Sequence, residues 1–398
     1  MRVLCVAEVY AWPPTDGYRL RLANLVDGLR QVGDVDVLVV DREPTQACQV
    51  EPPEGVRVLR LESLATEVRS WPLRWLTSST PRRLVSWDDT SVLPAARRWL
   101  ADRYDLAYFE HVDAWARFRS LSNAPCIVDF DNLENLYARS LLDRRPTELK
   151  ALAKWIPQAA FRWEEGRRWD RLQRRAAADA ASVLVCSQLD VARSNCANAV
   201  VVANGAEPNA VVVDHRPLVG EAAVFGFLGL LSYPPNADAA RWFATEVFPL
   251  VRRQLPDATF RVVGRNPESV EDLETLDGVV VVGEVTDPGA ELAATDVSVV
   301  PIRFGAGTRL KVVEALANGL PCVSTAIGAE GLDVTAGRDL LIADSATDFA
   351  EACVRLATDV DLRSALIDHG RATWEATYTW RAIQTRLAEL ARSAANPA

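Results

Sequence analysis

Residues Val299–Leu332 read VVPIRFGAGTRLKVVEALANGLPCVSTAIGAEGL. The opening apolar run stops at Pro301, as a buried strand does where it leaves its sheet. Gly305-Ala306-Gly307-Thr308 follows, and then Leu310, Val313 and Ala317 recur at helical spacing up to a stop at Asn318-Gly319. Pro321-Cys322-Val323-Ser324 begins a second strand. Strand, glycine loop, helix and strand make half of a nucleotide-type βαβ unit, so the expected class is α/β with parallel sheets.

A phosphate suits such a loop. Glycines let the backbone approach an anion closely, and free N–H groups at the next helix N-terminus point at it. Arg309 and Lys311 add full positive charges at the same end, a good match to a diphosphate. Glu314 stands one turn further in, placed to accept hydrogen bonds from vicinal ribose hydroxyls. The bland alternative is that Gly305 and Gly307 only shape a turn while Arg309, Lys311 and Glu314 form a solvated helix face.

Taken together, Gly305 to Gly307, Glu314-Ala315-Leu316-Ala317-Asn318-Gly319 and Pro321-Cys322-Val323-Ser324 resemble the donor-nucleotide segment of retaining glycosyltransferases of the GT-B fold. This is the large glycosyl transferases group 1 family that includes sucrose synthases and mannosyltransferases. The tail Ser324 to Leu332 looks like one branch of it. The resemblance implies two Rossmann-like doubly wound domains facing across a cleft, with a C-terminal helix crossing back to the first. It implies a nucleotide-diphosphate sugar on the second domain, an acceptor on the first, retention of anomeric configuration, and neither cofactor nor metal. Leu310 and Thr308 belong to the same donor segment. One departure stands out: the family's first glutamate, which touches the donor sugar, falls on Ala306 here.

The 398 residues suggest two domains, and 49% apolar with 25% charged residues is an ordinary globular balance. A net charge of −10 argues against a general nucleic-acid binder. The seven cysteines are dispersed without a CxxC pair, which points to reduced core thiols in a cytoplasmic protein. Arg2 precedes only a short apolar run, so no signal peptide is expected, and no stretch reaches the roughly 20 apolar residues of a membrane span. Three separated histidines do not suggest a metal site.

From the N-terminus, Val3–Ala7 reads as a buried strand, followed by a proline-rich loop to Gly17 and a helix with Leu22, Leu25, Val26 and Leu29 on one face. Gly17 holds the place where the family carries a glycine near donor phosphates and acceptor; a plain turn glycine is the equal alternative. Residues 50–100 match poorly. There, Trp71-Pro72-Leu73-Arg74-Trp75-Leu76 and Pro81 to Trp87 interleave tryptophan with arginine, as an amphipathic helix pair over the core would; an acceptor loop or membrane-surface contact reads similarly. The strand Asp105–Phe109 ends in Glu110-His111, which by the strand-end rule would face a ligand, and the family often has a histidine there beneath the donor sugar. These two are the catalytic candidates. Asp129, Asp131 and Glu134 are placed to bind acceptor hydroxyls or cap the following helix, capping being the expectation for Asp131. Residues 143–180 read as a long Arg- and Trp-rich helix with a salt-bridged face.

The expected division is an N-terminal acceptor domain over 1–205, a linker over 206–222, a donor domain over 223–375 and a returning helix over 376–398. In the second domain, Gly229 ends the first strand, but Tyr233-Pro234-Pro235-Asn236 replaces the Arg and Lys that many relatives use for the diphosphate. Arg265 is placed to reach base or phosphates, and Gly283-Glu284-Val285 resembles the family's base-binding turn. After Leu340 only helices are expected. The acceptor class stays open among carbohydrate, lipid-linked and small molecules, as do a homodimer and a peripheral membrane contact. The rival readings are a catalytically weak glycosyltransferase-like partner subunit, supported by Ala306 and the missing Arg/Lys pair, and a nucleotide-sugar epimerase.

Overall fold

The computed structural model describes residues 1–14, 17–41, 50–62, 68, 70–87, 90–101, 103–140, 142, 149–209, 222–305 and 310–396. The chain divides into two compact units. One holds Met1–Asn204 with Arg381–Ala398; the other holds Gly205–Gly305 with Arg309–Trp380.

The first unit is built on a parallel sheet of β1 (Arg2–Ala7), β2 (Asp34–Asp41), β3 (Val56–Glu62), β4 (Leu106–Glu110), β5 (Cys126–Phe130), β6 (Ser182–Val185) and β7 (Ala199–Val201), in the order β3-β2-β1-β4-β5-β6-β7. The central strands are mostly apolar and buried on both faces, as parallel strands covered by helices are, and the charged exceptions Glu110 and Asp129 are enclosed with them. The edge strand β3 was not anticipated. It alternates charge with aliphatic residues, and its arginines are held by the neighbouring strand: exposed Arg57 pairs with Asp36 at 2.5 Å and half-buried Arg60 with Asp41 at 2.6 Å. The helix Leu149–Asp179 carries Pro157 inside it.

The helix Trp380–Ala395 completes this unit although it follows the second unit in sequence. Leu387, Ala388 and Ala391 are buried, and Gln384 donates to Asn24 at 3.2 Å. Gly28 makes room for it, since a Cβ there would sit 3.2 Å from the Gln384 Cα.

The second unit carries β8 (Val224–Leu228), β9 (Thr259–Val263), β10 (Val279–Gly283), β11 (Val297–Val300), β12 (Cys322–Ser324) and β13 (Leu341–Ile342), all parallel in the order β10-β9-β8-β11-β12-β13. The expectation of helices only beyond Leu340 is corrected by β13. Two residues pair with β12, and the Ala343 N–H closes the edge on the Ser324 carbonyl at 2.9 Å. A phenylalanine cluster fills one face, with Phe243 and Phe260 ring centroids 4.5 Å apart and Phe225, Phe248 and Phe349 around them. Residues Ala206 and Glu207 belong here: Trp374 donates to the Ala206 carbonyl at 2.8 Å, and the Trp380 N–H reaches Glu207 at 3.1 Å. Most of the expected linker, 210–221, lies outside the described residues.

Candidate functional site

Two groups of side chains sit at strand carboxyl ends, one in each unit, and they differ in kind.

In the second unit, β8, β9 and β10 end in Gly229, Gly264 and Gly283. The Gly264 N–H donates to the Gly283 carbonyl at 2.8 Å, and the Gly229 N–H to the Val263 carbonyl at 3.0 Å. At Gly264 no other residue fits: φ is +152°, and a Cβ would lie 1.8 Å from the Gly229 carbonyl oxygen. The three ends therefore form a ledge of bare backbone. Lys311, on the helix Leu310–Ala317, points over it. Its ammonium donates to Asn236 Oδ1 at 3.1 Å and stands 3.5 Å from where a Gly229 Cβ would be. Asn236 is itself locked by donating its amide to the Leu230 carbonyl at 2.9 Å. The position left by the family's Arg and Lys is thus taken by an asparagine that aims a lysine from another element.

Glu314, one turn beyond Lys311, is half-buried. Burial pushes its carboxyl pKa up, and Lys311 pulls it back. Arg265 follows β9, its carbonyl accepting from the Leu231 N–H at 2.9 Å, and Glu284 is exposed just past β10. Gly305 has φ +116° and Leu310 begins the helix. Ala306, Gly307, Thr308 and Arg309 lie outside the described residues. Of the expected donor residues, the structure gathers Gly229, Lys311, Gly283 and the Arg265 backbone. Neither Gly264, a glycine at a strand end, nor Asn236, noted only within the Tyr233–Asn236 stretch that stands in place of the Arg and Lys, had been given a binding role from the sequence.

In the first unit, Arg21 is 1% exposed and grips Asp129 with two parallel hydrogen bonds, 2.8 and 2.9 Å. Its remaining nitrogen donates to Asn204 Oδ1 at 2.8 Å and to the Val202 and Ala203 carbonyls. The Tyr108 phenol oxygen lies 2.7 Å from Glu110 Oε2 and 2.8 Å from Asp129 Oδ2. Burial, reinforced by Asp129 and Asp131, pushes the Glu110 pKa up to about 8. A phenol carries one proton, so neutral Glu110 donates to Tyr108, and Tyr108 donates to Asp129. Glu110 Oε1 is left buried without a partner. The expectation that Glu110 faces a ligand is corrected: it has no exposure, because strand alternation turns it into the core beside Tyr108.

His111 takes the opposite course. It adopts φ +69° at the start of the helix His111–Phe118, which lifts the ring off the strand line. Nε2 lies 2.9 Å from Asp131 Oδ1, and Tyr18 stacks on the ring at 5.4 Å. Burial alone would depress the imidazole pKa, but Asp131 outweighs it and raises it to about 10. His111 is therefore an imidazolium at neutral pH. Asp131 is its counter-ion, and the helix Glu134–Ser140 starts after it. Gly17 opens the helix Gly17–Arg30 immediately before Tyr18, so the first loop and His111 meet. Asp129, an acceptor-binding candidate, is consumed by Arg21. Among the described residues, no group of three or more His, Cys, Asp or Glu side chains is placed to hold a metal.

Solved structures share this whole architecture. Sucrose-phosphate synthase from Thermosynechococcus elongatus superposes with a TM-score of 0.69 over 99% of both chains at 17% identity. Anabaena HepE, solved with UDP and glucose, gives 0.66 over 99% of this chain and 100% of that one at 15% identity. WaaG, a glycosyltransferase involved in lipopolysaccharide biosynthesis, gives 0.61 over 98% and 99% at 13% identity. The fold is GT-B. Residues 222–359 match the family model Glycosyl transferases group 1. It is also 28% identical over 144 residues to an uncharacterized 44.6 kDa protein in the cps region of Klebsiella pneumoniae. That match spans 34% of this chain and 37% of that protein.

Proposed function

We propose that this chain is a glycosyltransferase that moves a sugar from a nucleotide-sugar donor, held on the second unit, to an acceptor hydroxyl with retention and without a metal. The observation that carries this reading is the ammonium of Lys311, fixed by Asn236 over the glycine ledge of β8 and β9. A fixed cation above bare backbone is suited to a departing diphosphate, whose charge it stabilises as the glycosidic bond breaks. Glu314 then takes the ribose hydroxyls. His111, charged by Asp131, serves as a cationic hydrogen-bond donor rather than a base, and Glu110 acts as a positioning residue behind it. The solved HepE complex with UDP and glucose supports a donor of this class.

A panel of UDP-, GDP-, ADP- and dTDP-sugars in a thermal-shift assay tests it. One nucleotide sugar should raise Tm, and the shift should vanish in Lys311→Met and shrink in Glu314→Ala. If no nucleotide sugar stabilises the chain, the donor reading fails. The reading of a weak or inactive partner subunit, which Ala306 favours, then takes its place.

A further inference from the structure

A cavity of about 590 Å³ opens in the first unit between the helix Glu134–Ser140, the long helix Leu149–Asp179 and the short turn Arg82–Val85. Its walls mix two kinds of surface. Tyr137, Pro157 and Phe161 give ring and aliphatic faces, while Gln158, Arg162 and Glu134 give donors and acceptors. Charges of both signs line it. Arg83 forms its inner edge, ion-paired to Glu134 at 3.1 Å and to Asp113, with its guanidinium over the Trp169 ring at 4.8 Å. Glu165 accepts from the Arg82 N–H at 3.0 Å and from the Trp75 indole, which holds the turn against the long helix.

An acyl chain is a poor occupant, because it would strip water from arginine and glutamate with nothing in return. A bare phosphate leaves the ring faces unused, and the lining arginines Arg82, Arg83 and Arg162 are offset by Glu134 and Glu165. A pyranose uses both surfaces: its C–H face lies on Tyr137 or Phe161, and its hydroxyls bridge amide, carboxylate and guanidinium. The volume falls within the range of small-ligand sites. Placement agrees as well. Asp131 lies in the loop just before Glu134, which begins a helix on the cavity wall, and Asp113, the partner of cavity-lining Arg83, sits on the helix that His111 begins, so the cavity edge adjoins the His111–Asp131 pair.

We infer that this cavity binds a carbohydrate, and, resting on the glycosyltransferase reading, that the carbohydrate is the acceptor. The acceptor class is then a sugar hydroxyl on a mono- or oligosaccharide rather than a lipid head or an aglycone.

Saturation-transfer difference NMR on the full chain tests this with methyl hexosides, common disaccharides and glucuronic acid, using inorganic phosphate and octanoate as contrasting probes. At least one saccharide should show ring-proton enhancement. Its affinity should fall roughly fivefold or more in Gln158→Ala and in Phe161→Ala, the loss expected for one hydrogen bond or one ring contact. Tyr137→Phe keeps the ring and should retain binding. No saccharide signal, undiminished signals in both variants, or signals only from phosphate or octanoate would overturn the inference. The donor thermal shift separates the two readings. Saccharide binding without a nucleotide shift sinks the donor proposal alone, and a nucleotide shift without saccharide binding sinks the cavity alone.

Discussion

The two sheets share a plan and use their carboxyl ends in opposite ways. At the end of β4 and β5, charge is locked inward: Arg21, Asp129, Tyr108 and Glu110 are buried and hydrogen-bonded to one another, with Glu110 Oε1 alone left over. At the end of β8 and β9, glycines leave the backbone bare, and the Lys311 ammonium reaches over it. The first arrangement holds a shape, because removing any member strands another in a low-dielectric interior. The second presents a cation, because glycine leaves nothing between it and an incoming anion. Strand topology alone does not decide which use a sheet makes of its end.

The contrast can be broken first at Arg21. Arg21→Met leaves Asp129 buried without its counter-charge and should cost about 3–5 kcal/mol in urea unfolding. A loss below about 1 kcal/mol would mean that the network is not the fastening described, since even one ordinary hydrogen bond is worth that much. Next comes Gly229→Ala. The added methyl would lie 2.8 Å from Asn236 Nδ2, so overpacking should cost about 1–3 kcal/mol and displace the lysine with its anchor. Nucleotide-sugar stabilisation should be lost along with it. Stability lost with ligand shift retained would show that Lys311 does not depend on Asn236.

A pH profile sharpens the comparison within the first unit. Glu110 is raised in the fold to about 8 and His111 to about 10. Both fold-state values exceed the unfolded ones, so their stability is present at low pH and is lost as pH rises, for Glu110 between about 4.5 and 8 and for His111 between about 6.5 and 10. Asp131 runs the other way, its lowered pKa costing stability as pH falls below the ordinary carboxylate range. Glu110→Gln keeps a neutral hydrogen-bonding side chain and should flatten the decline between pH 5 and 8 while changing stability at pH 5 little. An unchanged slope would mean that Glu110 is ionised in the fold. The smallest effect belongs to the surface of the second unit. Asp277→Asn removes an ion pair to Arg252 whose carboxylate is 89% exposed, and urea unfolding should move by no more than about 0.5 kcal/mol.

Much of this was legible in the sequence where the pattern is local. The run from Val299 to Leu332 declares strand, loop, helix and strand in order, and Lys311 and Glu314 sit on that helix as its period requires. What escaped is non-local. Arg21 lies among Leu22, Leu25 and Val26 and looks like one more polar position on an amphipathic helix. Only a carboxylate more than a hundred residues away makes it buried. Glu110 and His111 are adjacent, and no periodicity tells that one turns inward while the other is swung out by a positive φ. The strand β3 hid behind alternating arginines whose partners are on β2, and β13 is two residues long.

The closing helix has a consequence for how this protein is made. Its buried face and the notch at Gly28 belong to the first unit, yet Trp380–Ala395 leaves the ribosome only after the whole second unit. The N-terminal sheet waits through the synthesis of the entire second unit before Leu387, Ala388 and Ala391 can be buried and the Asn24–Gln384 hydrogen bond closed. Assembly order and sequence order are thereby uncoupled, and a prematurely stopped chain exposes its fault in the half that was translated first.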